Sequence, residues 1–299
     1  MKKHIQNISL RIKNSFLKNY KLNIILVFAI FFILMLSVLI KFSLTGEFIQ
    51  RDITLKGGVI VTLNTKTDNP NLIKETLRST FKGKDINFRE IGLTEKSLVI
   101  ESSELSEEEI IKALSDFEVI KNKEYTTVNV GSTLGQSFYK EIIRAIIFSF
   151  ILMGIIVLIY FRNLAPSSYI VFCAFLDITE TLSIVSLLNM KLSSAGIAAF
   201  LMLIGYSVDT DILLTSRTLK SKFEEVDEKI LDAMKTGIIM TLTTIGALLV
   251  GYFLSTATVI KEIMIILMIG LSLDVFNTWV GNTSFLKLYI ARREKQKSK

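Results

Sequence analysis

One stretch of the sequence, residues 195–217, is apolar for nearly its whole length yet carries two aspartates, Asp209 and Asp211. About 20 residues at ~1.5 Å per residue cross the ~30 Å hydrocarbon core of a bilayer, so this length predicts a membrane-spanning helix. An ionised carboxylate inside a bilayer costs about 2.5–3.5 kcal/mol or more, so a chain keeps one where it faces a protein interior, a water path or a partner charge. The alternative is that both aspartates lie in hydrated last turns, which end at Arg217.

Five further apolar runs have the length of a span, and the composition agrees with a membrane protein. Half of the 299 residues are hydrophobic and the mean hydropathy is +0.49, which excludes an ordinary soluble chain. The first run is longer than the apolar region of a signal peptide and ends in lysine, so we expect an uncleaved anchor. The sequence therefore predicts six transmembrane helices, the other five covering residues 22–40, 142–160, 169–188, 237–254 and 263–286.

The charge pattern narrows the location and the function. The net charge is +7, and Lys and Arg cluster in residues 1–21 and 287–299, on either side of the predicted spans. Such clusters set orientation, so we expect a multi-pass protein of the cytoplasmic membrane with both termini in the cytosol and no nucleic-acid partner. One cysteine and one histidine exclude a disulfide framework, a zinc cluster and histidine-based catalysis. We expect no metal and no cofactor.

Residues 46–137, between the first two spans, predict an α+β domain outside the cytosol. Their strand and helix patterns follow the order β-α-β-β-α-β, which is typical of a ferredoxin-like sandwich. Asn69 is suited to cap a helix over 70–81, and Ser106 with Glu109 forms a capping box for a helix to 117. The strands are expected over 59–63, 85–91, 97–101 and 118–130.

The polar residues of the third, fourth and sixth spans are the candidate site. Asp177 and Glu180 are three residues apart, so they share one helix face, as do Asp274 and Asn277. Asp177 and Asp209 each lie about eight residues, or ~12 Å, inside antiparallel helices, which predicts that the two carboxylates are neighbours. The hypothesis is that one of them binds and releases a proton or another cation.

Two other segments have open interpretations. Residues 217–235 are charged and amphipathic, so they form either an interfacial helix on the cytosolic surface or a solvated linker helix. Thr243 and Thr244 of the fifth span either hydrogen-bond their own backbone or join neighbouring helices.

Several of these motifs carry a resemblance to a known family. The run Gly205-Tyr206-Ser207-Val208-Asp209-Thr210-Asp211, followed by Arg217, resembles the fourth membrane helix of the SecF family of protein-export subunits. The Gly57-Gly58 pair resembles the motif that opens the extracytoplasmic domain of that family, although a plain turn is the alternative. The ending from Asp274 to Trp279 is similar to the archaeal branch. The chain departs from the bacterial pattern at Leu176, where that pattern has histidine, and at Ser132, where it has proline.

The resemblance implies a function and a set of site residues. Members of this family belong to the resistance-nodulation-division superfamily and supply one six-helix half of a transporter. The resemblance therefore implies that the chain pairs with SecD and assists the SecYEG channel. It also implies contact with lipid and with the translocating polypeptide, and no enzymatic activity. Charged residues of the central helices would couple ion movement to export. The ion-coupling candidates are Asp177, Asp209, Asp211 and Arg217; the supporting polar residues are Glu180, Thr243, Thr244, Asp274 and Asn277; and the external motif is Gly57 and Gly58.

Two other functions stay open at this point. A stand-alone exporter of the same superfamily would assemble from two copies of one half. An intramembrane aspartyl protease needs two aspartates on adjacent spans, which Asp177 and Asp209 provide, but its Gly-X-Gly-Asp motif is absent before Asp209.

The expected division of the chain is a basic N-terminus (1–21), a first helix (22–43), the external domain (46–137), a five-helix bundle (138–286) that includes the connection 217–235, and a basic tail (287–299).

Overall fold

The computed structural model describes residues 17–46, 48–64, 69–91, 97–220, 225–255 and 257–297. Long helices form a bundle, and a small sheet with short helices follows the first of them. The long helices are α1 (Tyr20–Thr45), α6 (Ser132–Phe161), α7 (Leu164–Leu187), α8 (Ser194–Lys220), α9 (Val226–Leu254) and α10 (Thr258–Phe276), and α10 continues through a π-helical segment (Asn277–Asn282) into α11 (Thr283–Lys297). The shorter elements are α2 (Ile53–Lys56), β1 (Gly58–Asn64), α3 (Pro70–Thr80), β2 (Ile86–Ile91), β3 (Ser97–Ser102), α4 (Glu107–Ala113), α5 (Glu118–Lys121) and β4 (Tyr125–Val130).

Five helices in the described part of the chain are long and apolar enough to cross a membrane. They are Tyr20–Leu44, Lys140–Phe161, Leu164–Leu187, Ser194–Leu219 and Val226–Leu254. Helix α10 is not one of these five, because it carries Lys261, Glu262 and Asp274 within 19 residues. The sixth predicted span therefore stays a prediction.

The sheet is antiparallel throughout, with the strand order β2-β3-β1-β4. Val59, Val61 and Leu63 of β1 point to the same face and are buried, which confirms the strand that the β-branched run predicts. They pack against Leu77 of α3 and Ile110 of α4 in one apolar core. Each fully buried aliphatic side chain in such a core contributes about 1.5–3 kcal/mol, so the sheet and the two helices stabilise each other.

The local helix signals act as the sequence predicts. The side chain of Asn69 accepts a hydrogen bond from the Asn71 amide at 3.0 Å, and helix α3 starts at Pro70. Ser106 and Glu109 make both hydrogen bonds of a capping box. Glu109 accepts from the backbone amide of Ser106, which is the main reason that the pKa of its carboxyl lies below its usual value, with Lys84 adding a smaller effect.

Two predicted boundaries in this region are wrong. The helix that starts at Glu107 ends at Ala113 rather than at residue 117. The strand expected over residues 118–130 begins only at Tyr125, because residues 118–121 form the helical turn α5. That turn buries Val119 in the apolar core, and the positive φ of 56° at Lys123 then redirects the chain into β4.

The Gly57-Gly58 pair meets a steric requirement. Gly57 has a φ of +84° and Gly58 a φ of +144°, which are backbone conformations that residues with a side chain rarely adopt. A Cβ at Gly58 would overlap the carbonyl oxygen of Ser102 on the neighbouring strand. Glycine is therefore required at residue 58 by the close approach of β1 to β3.

The connection before the fifth span differs from both predicted forms. Residues 221–224 lie outside the described residues, but helix α9 runs without a break from Val226 to Leu254. Ile230 and Ala233 of its first turns are buried against Leu214 of α8 and Leu286 of α11. This apolar packing holds the second half of the connection in line with the span, so it is not a separate helix.

Helix α8 lies at the centre of the bundle, where it packs against α6, α7, α9 and α10. The segment after α1 joins the sheet region to this bundle. The backbone amide of Asp52 donates to the carbonyl of Leu192, just before α8, at 2.9 Å, and the Leu192 amide donates to the carbonyl of Gln50 at 2.7 Å. Leu55 is completely buried in the core of the bundle.

Candidate functional site

The bundle encloses four carboxylates in one connected polar network. Asp177 and Glu180 come from α7, Asp211 from α8 and Asp274 from α10, and none of the four has any exposed surface. The i, i+3 spacing places the two acids of α7 on one face, as the sequence predicts. The polar side chains between these helices link the four acids.

Asn277 bridges the two acids of α7. Its side-chain nitrogen donates to Asp177 Oδ1 and to Glu180 Oε2, both at 2.8 Å. The Ser207 hydroxyl of α8 donates to the other oxygen of Asp177. Both oxygens of Asp177 are therefore engaged, one from each neighbouring helix.

The other two acids are linked through threonines. The Thr278 hydroxyl lies 3.0 Å from Oδ1 of Asp211 and 3.0 Å from Oδ1 of Asp274. The Thr210 hydroxyl lies 3.2 and 3.1 Å from the two oxygens of Asp274. Asn282 completes this half of the network by donating its side-chain N–H to Asp211 Oδ1 at 2.7 Å.

The π-helical segment supplies three of these donors. Asn277, Thr278 and Asn282 all lie within its six buried residues. A π turn is wider than an α turn, and such turns are rare and frequently found at functional sites. Around the segment, the Trp279 ring lies so close to Gly237 of α9 that any Cβ there would overlap it. The segment is thus buried, and it packs closely against α9 at this point.

The structure brings together five of the nine candidate residues of the long helices, and Asp209 is not one of them. The five are Asp177, Glu180, Asp211, Asp274 and Asn277. Asp209 is exposed on α8, and within the described residues it makes no hydrogen bond or ion pair. The predicted neighbourhood of Asp177 and Asp209 is therefore wrong, and so is the protease pair built on it. The depth of a residue in the membrane gives its position along the helix axis, but it does not say to which side of the helix its side chain points. Asp211, which is ~200° away from Asp209 around α8, is the aspartate that faces inward.

Arg217 and the two threonines of the fifth span also lie apart from the carboxylates. Arg217 pairs with Asp232 of α9 and contacts the hydroxyl of Thr236 at 3.1 Å, so it does not turn towards the network. Thr243 and Thr244 both donate to the carbonyl of Met240, at 2.8 and 3.0 Å. Of their two interpretations, hydrogen bonding to their own helix is the one observed.

Four donors of the network are absent from the predicted site: Ser207, Thr210, Thr278 and Asn282. Ser207 and Thr210 lie on the inward face of α8. The prediction took the face that carries Asp209 as the inward one, so it missed them. Asn282 lies five residues after Asn277, a spacing that an α-helical stripe excludes but a π turn accepts. A polar pair at that spacing within an apolar helix is the signal that could have found it.

The charge of the network is unbalanced. Every hydrogen bond that the described residues make to the four carboxylates comes from a neutral Ser, Thr or Asn side chain. Carboxylates removed from water cannot all stay ionised at low cost without a compensating positive charge. The arrangement can therefore take up protons or cations. Within the described ranges, no group of three His, Cys, Asp or Glu side chains is arranged to hold a metal ion.

Comparison with known proteins identifies the family. Residues 109–292 match the family described as protein export membrane protein SecD/SecF, C-terminal, which is more than half of the chain. The chain belongs to the SecD/SecF family. It is 36% identical over 266 residues to a protein-export membrane protein SecF of Pyrococcus furiosus, covering 89% of each chain. It is 35% identical over 290 residues to the SecF of Methanocaldococcus jannaschii, covering 94% of this chain and 99% of that one.

Solved structures show the same SecDF-like fold. The crystal structure of SecDF from Thermus thermophilus, described as a translocon-associated membrane protein, superposes with a TM-score of 0.69 at 18% identity over 94% of this chain. A second SecDF structure, in a super-membrane-facing form, gives a TM-score of 0.61 at 16% identity over 91% of this chain. The chain spans only 38% of either SecDF chain.

Proposed function

We propose that this chain is the SecF subunit of a protein-export complex. In this proposal it pairs with SecD in the cytoplasmic membrane and assists the SecYEG channel in moving polypeptides out of the cytosol, with no enzymatic activity of its own. Similarity to SecF proteins over nearly the whole chain supports the assignment.

The proposal includes a membrane topology. Helix α10 and its continuation form the sixth span, and both termini lie in the cytosol. Residues 46–137 form a ferredoxin-like domain on the opposite side, a description supported by the strand order β2-β3-β1-β4. The remaining proposed boundaries are those of the sequence prediction: a first span over 22–43, within α1, a bundle over 138–286 and a tail over 287–299. The positive charge of the segments flanking the spans supports this orientation.

The observation that carries the ion-coupling part of the proposal is the buried carboxylate network, to which no basic side chain among the described residues donates a hydrogen bond. A proton or cation that enters the network neutralises a carboxylate, which weakens the hydrogen bond that this carboxylate accepts from Asn277, Thr278 or Asn282. These three lie on one π-helical segment, so a change of charge on α7 or α8 becomes a change of hydrogen bonding on the sixth helix. A buried ionisable group on a membrane helix is a functional candidate for this reason.

The exposed Asp209 supports the need for a second subunit. It lies on a face of α8 with the exposed residues Met202 and Tyr206. A carboxylate on a membrane helix is costly against lipid, so a partner with a donor or a positive charge is expected to cover it. The longer SecDF chains, of which this chain matches 38%, support SecD in that place.

An export assay in the source organism tests the proposal. The chromosomal copy is replaced by Asp211→Asn, with Asp232→Asn as the control, since Asp232 is exposed and its carboxylate pairs with Arg217, outside the network. Pulse-chase labelling of a secreted protein then measures export, and affinity purification measures association with SecD. We expect slow export with intact SecD association for Asp211→Asn, and normal export for the control. Normal export in both, or no SecD among the purified proteins, would contradict the proposal.

A further inference from the structure

A cleft of about 470 Å³ lies between the sheet and the adjoining end of the helix bundle. Its wall is formed by the segment after α1, by β2, by the loop between α7 and α8, and by the ends of α9 and α10. Helices α7 and α9 end beside the cleft and α8 and α10 begin there, so in a membrane-spanning bundle the cleft lies at the membrane boundary. The side chains that line it include Gln50, Asn87, Asn189, Lys191, Tyr252 and Lys261.

The cleft receives positive charge from two sides. Lys191 lies on the loop before α8, and Lys261 lies in the first turn of α10. The ammonium group of Lys261 is 5.6 Å from the centre of the Tyr252 ring, a cation–π contact that orients the side chain without neutralising it. Lys191 Nζ lies 3.4 Å from Asp85 Oδ1, and both side chains are partly exposed. Such an ion pair contributes little, so Lys191 can exchange Asp85 for a stronger anionic partner.

Two carboxylates also lie in the wall of the cleft, and each is engaged or buried. The oxygens of Glu262 accept from the backbone amide and the hydroxyl of Ser193, at 2.9 and 2.8 Å. This carboxylate therefore caps the beginning of α8, where the helix dipole favours negative charge. Asp52 is only 5% exposed, so it presents little surface to a ligand. With side-chain amides of Gln50 and Asn189 as further donors, the cleft is suited to an anion rich in oxygen acceptors, such as a phosphate group.

A strongly exposed apolar surface adjoins the cleft. Phe253 and Leu254, which follow the lining residue Tyr252 at the end of α9, are 75% and 78% exposed. Val259 and Ile260, which precede Lys261 on α10, are exposed as well. Tyrosine and lysine next to large apolar side chains are typical of the level at which a membrane protein meets the lipid headgroups. A molecule bound here can therefore place an anionic group in the cleft and apolar chains beside it.

We propose that the cleft binds the phosphate headgroup of an anionic phospholipid from the leaflet on the side of the sheet. Lys191 and Lys261 pair with the phosphate, the side-chain amides of Gln50 and Asn189 donate to its oxygens, and the acyl chains lie along the exposed end of α9. A free phosphate ion shares the chemistry of the headgroup but has no use for the apolar surface. The proposal needs only that the bundle crosses a membrane, so it goes beyond the proposed export function and can fail or stand without it.

Lipid-dependent thermal unfolding tests the site. The full chain, purified with its copurifying subunit in a detergent that strips bound lipid, is heated with increasing phosphatidylglycerol, phosphatidylcholine or inorganic phosphate. A ligand that binds only the folded state raises the unfolding midpoint in a saturable way. We expect the anionic phosphatidylglycerol to do so at concentrations at which the zwitterionic lipid and phosphate do not. An unchanged midpoint, or an equal rise with phosphatidylcholine or with inorganic phosphate, would overturn the proposal.

Lysine variants distinguish this site from a general attraction of a basic protein to anionic lipid. Lys261→Gln and Lys191→Gln should each lower the affinity for phosphatidylglycerol about fivefold, which is the contribution of one lysine near an anionic lipid surface. Lys261→Arg keeps the charge and should lower the affinity less. Lys235→Gln is the matched control, since Lys235 is an exposed lysine on α9 that does not line the cleft. Equal affinities in Lys261→Gln and Lys235→Gln would overturn the proposal.

Cross-linking identifies what occupies the cleft in the native membrane. Ile265 also lines the cleft, and the single native cysteine, Cys173, is buried, so a benzophenone maleimide should label the variant Ile265→Cys at that position alone. Membranes of the source organism that contain the labelled variant are illuminated, and the protein is purified and weighed by mass spectrometry. We expect an adduct with the mass of a phospholipid. A polypeptide adduct without a lipid adduct would overturn the proposal.

Discussion

Replacement of Asn277 by alanine tests how strongly the buried network is held together. The variant loses both hydrogen bonds of the bridging amide, to Asp177 and to Glu180, each 2.8 Å long. A hydrogen bond to a charged group contributes about 1.5–3 kcal/mol in a soluble protein. Within a membrane the average is about 0.6 and the maximum about 1.7 kcal/mol, because the unfolded state also finds partners. Two such bonds give an expected loss of about 1–3 kcal/mol.

The assay is reversible unfolding of the purified complex in mixed micelles, followed by circular dichroism. Ser272→Ala is the control on the same helix, because Ser272 is exposed and donates only to the carbonyl of Met268, at 2.7 Å. The control should stay within about 0.5 kcal/mol of the wild type. A loss of less than about 0.5 kcal/mol for Asn277→Ala would show that the amide does not bridge the two acids, which would refute the network as described.

The remaining predictions concern the sheet region. Ser106→Ala should destabilise helix α4 by about 1 kcal/mol, seen as roughly fivefold faster amide hydrogen exchange in that helix, and unchanged exchange would contradict the capping box. Because the carboxyl pKa of Glu109 is lowered on folding, its contribution to stability is present above the unfolded value of 4.5 and is lost as the pH falls through the lower folded value. Protection factors in α4, which correct for the slower exchange of free amides in acid, should therefore fall at such pH, and unchanged protection factors would contradict this. Gly58→Ala should cost about 1–3 kcal/mol in unfolding measurements. Gly131→Ala, where the space around the added Cβ is open, is its control, and equal costs would count against the steric argument.

The sequence predicts those structural features that depend on the spacing of nearby residues. The N-cap at Asn69, the capping box at Ser106 and the alternation of β1 all depend on residues within one or two turns, and the structure confirms them. The shared face of Asp177 and Glu180, which Asn277 bridges, follows from the same short-range geometry.

The rotation of α8 about its own axis and the presence of the π-helical segment could not be predicted from local spacing. Counting residues from a membrane boundary gives depth, but the inward face of α8 is decided by its packing against four other helices, and that packing selects Asp211 over Asp209. The π-helical segment breaks the 3.6-residue period on which face predictions depend, so Asn282 joins Asn277 in the site against the expected spacing. Arg217 is drawn to Asp232, a residue of a connection whose path the sequence leaves open.

The backbone pairing of Gln50 and Asp52 with Leu192 affects how the protein can be dissected. Because two main-chain hydrogen bonds and the buried Leu55 tie the segment after α1 to the loop before α8, this segment should unfold with the bundle rather than with the sheet. A soluble fragment of the sheet region is therefore best begun at Gly57. A fragment begun at residue 46 would expose the Leu55 side chain, and both the Asp52 amide and the Gln50 carbonyl would have lost Leu192 as their partner.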